Sequence, residues 1–154
     1  MIAKQASALP AYTRSGYPEP FAARVLPREK RKLGDAFGLT RFGVNLTTLP
    51  PGRESSMRHW HSDEDELVYV LEGELVLVTD AGEETLRSGM VVGFKAGDRN
   101  GHQFVNRGTQ PAVYLEVGNR AEASDLVTYV DVDLALARDA RGDWRYTHKD
   151  GAPY

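Results

Sequence analysis

The chain has 154 residues, of which 41% are apolar and 27% charged, the balance of one ordinary globular domain. A net charge of −3 at pH 7 argues against nucleic acid or an anionic membrane surface as partner. There is no cysteine, which removes disulfides, thiolate metal ligands and cysteine nucleophiles. Met1 to Gln5 holds no apolar signal core and no apolar run reaches membrane-spanning length, so the expectation is a soluble, cytoplasmic protein.

Residues 1–41 read as an extended N-terminal arm. Pro10, Pro18, Pro20 and Pro27 recur without a sustained apolar period, and each removes a backbone donor and fixes φ. Within the arm, Arg28-Glu29-Lys30-Arg31-Lys32 reads as a solvated face or a short helical turn. From Phe42 the pattern changes to short apolar runs separated by turn residues. Strands are predicted over Phe42–Leu49, Ser56–His61, Glu66–Leu71, Glu74–Thr79 and Glu83–Arg87. Further strands are predicted over Met90–Phe94, Gln103–Asn106, Ala112–Val117 and Leu126–Val130. Val68, Tyr69 and Val70, with Val76, Leu77 and Val78, read as buried on both faces. The expected architecture is therefore an all-β sandwich or barrel over residues 42–131, followed by a C-terminal tail over 132–154. Within that tail, only Asp133 to Asp143 has apolar anchors for a short helix.

Three of the four histidines fall in the barrel segment. His59-Trp60-His61 places two imidazoles on one side of a strand, because strand side chains alternate faces. Glu66 begins the next apolar run in phase with Val68 and Val70, so it is preferred to Asp63, Glu64 and Asp65 as a ligand. His102 opens another run, and the three imidazoles with one carboxylate suit a divalent first-row transition metal. The competing reading is a pair of surface histidines on an edge strand. Asn106 shares a face with His102 but reads as a turn cap, His148 reads as exposed, and Arg99 as a solvated loop residue.

These residues resemble the cupin superfamily, whose barrels carry two motifs, G-(x)5-H-x-H-(x)3,4-E-(x)6-G and G-(x)5-P-x-G-(x)2-H-(x)3-N. Gly52, His59, His61, Glu66 and Gly73 match the first, with one extra residue after Gly52. Gly89, Gly97, His102 and Asn106 match the second, although Lys95 stands where proline is usual and the turn before His102 is two residues longer. The resemblance covers Phe42 to Gly118. It implies a cupin-type double-stranded β-helix, a jelly-roll barrel of two antiparallel sheets, often a homodimer. It also implies one manganese, iron, nickel, zinc or cobalt ion held by His59, His61, Glu66 and His102. A small-molecule ligand or substrate is expected at that metal: a sugar or sugar phosphate, a hydroxy acid or a phenolic compound. Isomerisation, decarboxylation and dioxygenation remain open, as does a barrel that binds or senses a ligand without turnover.

Overall fold

The computed structural model describes residues 2–121 and 124–154. Twelve strands are assigned among them, and every strand pairing is antiparallel. In chain order they are β1 (Glu29–Lys32), β2 (Phe42–Leu49), β3 (His59–His61), β4 (Glu66–Glu72), β5 (Glu74–Thr79) and β6 (Gly82–Arg87). The second half supplies β7 (Val91–Phe94), β8 (Gln103–Val105), β9 (Ala112–Asn119), β10 (Val127–Tyr129), β11 (Ala135–Arg138) and β12 (Trp144–Thr147).

One sheet has the order β1-β2-β9-β4-β7. Facing it are β12-β11-β10-β3 and β6-β5-β8, joined by a bridge between His59 and His102. The result is the all-β sandwich or barrel expected from the strand and turn pattern, in the jelly-roll form that the resemblance implied. All nine predicted strands are present to within a few residues at their ends.

Two local expectations fail. Arg28 to Lys32 is not a helical turn: Glu29–Lys32 forms β1, which pairs with β2 so that Lys30 lies opposite Thr47 and Lys32 opposite Asn45. The tail is not helical either, since β11 and β12 form a hairpin with Leu136 opposite Tyr146. In both places the helix reading rested on few anchors, and pairing with a neighbouring sheet supplied the backbone partners that local sequence could not reveal. Tyr69 is a third difference: Val68 and Val70 are buried, but Tyr69 between them faces outward and is 38% exposed.

The inner face changes character along the strands, and this positions the site. Stepping by two residues, β4 runs Val70, Val68, Glu66; β9 runs Ala112, Tyr114, Glu116, Gly118; β2 runs Leu49, Thr47, Asn45, Gly43. One end of the barrel is therefore filled by Leu49, Val68, Val70, Leu75, Phe104 and Tyr114, and each such Val or Leu stabilises the fold by about 1.5–3 kcal/mol through burial. The other end is polar. A second apolar cluster seals the side of that polar end. It joins Val25 of the arm and Leu134 of the tail to Met57, Val127 and Tyr129, with Tyr17 and Phe21 packed against it.

Candidate metal centre

The registers bring the predicted residues to the polar end. In β3, His59 lies opposite Tyr129 and His61 opposite Val127, so both histidines share the inner face with two buried residues of β10. Glu66 opens β4 opposite Gly118, and His102 reaches the group through its bridge with His59. Donor atoms of His59, His61 and Glu66 all lie within 4.8 Å of one another. Two ligands bound about 2.0–2.2 Å from one ion are separated by at most about 4.4 Å, so this is the scale of a metal site. His102 Nε2 lies 3.1 Å from Glu66 Oε2, and its ring stacks on Phe94 with centroids 3.6 Å apart.

The hydrogen bonds fix which nitrogens are available. His59 Nδ1 lies 2.8 Å from the Met57 carbonyl oxygen and His61 Nδ1 lies 2.7 Å from Asp125 Oδ2. Each Nδ1 donates to that oxygen, which leaves Nε2 with its lone pair free, the arrangement that orients histidine ligands at metal sites. Burial, reinforced by the neighbouring His102 and His61, lowers His59 to about 3, so its imidazole is neutral at ordinary pH. Burial alone would raise Glu66. The hydrogen bond from His102 and the fields of the three imidazoles outweigh it and hold the carboxyl at about 2, ionised. Among the described residues, His102 Nδ1 is buried without a partner. A neutral His59 beside an anionic Glu66 is the pair of protonation states that a divalent ion requires.

Asp125 is the residue that sequence reading missed. It is buried, accepts the Asp63 backbone N–H at 2.9 Å through Oδ1, and uses Oδ2 to hold His61. Nothing in its spacing marks it, because it stands 64 residues from its partner. The donors end a cavity of about 450 Å³ whose walls also include Tyr17, Arg28, Lys30, Glu116 and Tyr146. The signal for the two basic residues was present, since a strand period places residues 28, 30 and 32 on one face.

Asn106, Arg99 and His148 lie outside the donor group, whereas Glu64 and Asp65 line the same cavity and Glu64 has a donor atom within 4.8 Å of those of His61 and Asp125. Asn106 is fully buried and structural: its amide nitrogen donates to the Leu49 and Gln110 carbonyls, and its Oδ1 accepts the Gly108 N–H. Arg99 lies over the Trp60 ring at 5.8 Å. His148 donates to Asp133 and stacks on Tyr154. Asp63 and Asp65 are exposed: Asp63 Oδ2 accepts the Ser62 hydroxyl and its carbonyl accepts an Asn119 side-chain N–H, Asp65 accepts the Ala96 N–H, and Glu64 accepts the Ala121 N–H.

Residues 45–118 match the family model described as the cupin domain. The chain belongs to the cupin superfamily. It is 45% identical to a protein from Silicibacter pomeroyi described as a sugar phosphate isomerase from a cupin superfamily, with a TM-score of 0.90 over 96% of this chain and 93% of that one. A candidate sugar phosphate isomerase from Acidithiobacillus ferrooxidans is 33% identical, with a TM-score of 0.73 over 82% and 80%. A polyketide cyclase from Streptomyces resistomycificus, 24% identical with a TM-score of 0.70 over 86% and 87%, shares the fold. Comparison with curated proteins gives no significant match.

Proposed function

We propose that this chain is a divalent-metal enzyme that isomerises a sugar phosphate, with His59, His61, Glu66 and His102 as metal ligands. The observation that carries the reading is the pair of pinned imidazoles. His59 and His61 both commit Nδ1 to a fixed oxygen, leaving Nε2 free beside an ionised Glu66 at the end of a polar cavity. The same donor set serves manganese, iron, nickel, zinc or cobalt. A bound ion would supply Lewis acidity to substrate hydroxyl and carbonyl oxygens. Glu116 lies outside that set, lines the cavity, and is oriented by Lys30 Nζ at 2.7 Å. We assign it the proton that moves between adjacent substrate carbons. Isomerisation is preferred to decarboxylation or dioxygenation because both quoted relatives above 30% identity carry an isomerase description.

The test is to strip the protein with chelator, reload it with each of the five metals, and follow aldose and ketose phosphates by proton NMR in D2O. Interconversion with solvent deuterium entering the migrating position is expected, with loss of turnover but not of metal in Glu116→Gln. Ligand binding without turnover under every metal would instead indicate a sensing barrel.

We further infer one folding unit built from residues 1–41, 42–131 and 132–154, because Val25 and Leu134 complete a cluster with barrel residues. A homodimer is supported by the outer face of the five-stranded sheet, where Leu46, Leu115, Tyr69 and Val91 form one cross-strand row beside Val44, Val117 and Leu67. The absence of cysteine and of any helix long and apolar enough to cross a membrane among the described residues is compatible with the cytoplasmic placement.

A further inference from the structure

One cation in the cavity is left without a counter-charge by the fold. Arg28 immediately precedes β1, is half-buried, and lines the same cavity as the metal donors. Its basic neighbours there are matched. Lys30 Nζ lies 2.7 Å from Glu116 Oε2, Lys32 Nζ lies 3.9 Å from Asp35 Oδ2, and Arg120 also pairs with Asp35. No carboxylate stands within ion-pair distance of Arg28 among the described residues, and Nη1 donates only to the neutral carbonyl of Ser55. A guanidinium has five N–H donors in a rigid fork, and withdrawing that charge from water without an anion is unfavourable. Tyr17 and Tyr146, whose rings stand 5.3 Å apart, line the same cavity.

We propose that Arg28 is the anchor for the phosphate group of the substrate. The assignment rests on the isomerase reading for the choice of phosphate, but its physical basis, an uncompensated guanidinium facing the cavity, stands apart from the metal. A planar fork meets two oxygens of a phosphate at once, which an ammonium does not. The N-terminal arm thereby becomes part of the site, because it carries both Tyr17 and Arg28 into the cavity wall. Lys30, two residues along the same face, is matched by Glu116, which leaves Arg28 as the guanidinium open to an anion among the described residues.

Calorimetric titration of chelator-stripped protein with inorganic phosphate isolates this subsite from the metal donors. Wild type should bind phosphate, Arg28→Met should weaken binding at least ten-fold, and Arg28→Lys several-fold, with metal stoichiometry unchanged in both. If Arg28→Met fails to fold, as judged by its melting transition, the Arg28→Lys comparison carries the test. Unchanged phosphate affinity in the folded variant, or no phosphate binding to wild type, overturns the proposal. Acetate binding as tightly as phosphate also overturns it and assigns the subsite to a carboxylate. Arg28-dependent phosphate binding in a protein that never turns over sugar phosphates keeps the anchor and removes the isomerase reading instead.

Discussion

Asp125 reaches His61 directly, holding Nδ1 at 2.7 Å while its other oxygen accepts the Asp63 N–H. Removing such a partner leaves the ligand in place but loosens its orientation, which costs about 10–100-fold in metal affinity. Asp125→Asn should therefore retain one ion per chain at saturating metal while losing affinity on that scale in a chelator competition. Unchanged affinity would mean that His61 is not a ligand. The His-x-His pair, Glu66 and His102 were legible in the sequence because strand alternation and run boundaries set their facing. Asp125 was not, since it acquires its role from a partner that only folding brings near; for Arg28 the strand period was visible but the cavity it faces was not.

Between elements, the turn from β4 to β5 consists of Gly73 alone. Its φ is +75°, and an added Cβ would stand 2.9 Å from the Pro111 carbonyl oxygen. Gly73→Ala therefore meets both a left-handed backbone and a backbone clash, and should lower stability by about 2 kcal/mol in urea denaturation. The motif glycine thus serves the fold rather than the chemistry. The arm offers a second test at this scale. Val25 is fully buried, β1 covers the edge of β2, and Tyr17 forms part of the cavity wall. Deleting residues before Gly34 should lower the melting temperature and abolish the phosphate binding assigned to Arg28. A truncated chain as stable as the full one would show that these contacts add little. The arm's role was hidden because its apolar residues have no period of their own and are ordered against Met57, β10 and the tail.

Across the whole molecule, a metal held as proposed by His59 and His61 of β3, Glu66 of β4 and His102 just before β8 would tie separate strands together. One bound ion should stabilise the native state by mass action. Chelation should lower the melting temperature of wild type, and His59→Ala with His61→Ala should remove both the metal and that response. The sign of the pH dependence follows from the depressed groups. In the metal-free protein His59 titrates near 3 when folded and about 6.5 when unfolded, and Glu66 near 2 against about 4.5. The unfolded chain therefore binds the extra protons, so stability should fall as pH drops below about 6.5 and fall further below about 4.5. Denaturation midpoints that stay flat or rise between pH 7 and pH 4 would contradict this. Assembly is the last test at this scale. Leu67 and Tyr69 are 43% and 38% exposed on the outer face of the five-stranded sheet. Tyr69→Lys should shift the species in light scattering from dimer to monomer without changing metal content.

The sequence by itself determined the strands, the facing of His59, His61 and Glu66, and the superfamily, because alternation, turn residues and motif spacing are local properties of the chain. Only the tertiary structure decided that Asp125 holds His61, that Arg28 faces the cavity, and that the arm and the tail hairpin complete its wall. Those outcomes depend on contacts such as His61 with Asp125, 64 residues apart, and such pairings arise from three-dimensional packing rather than from any local period.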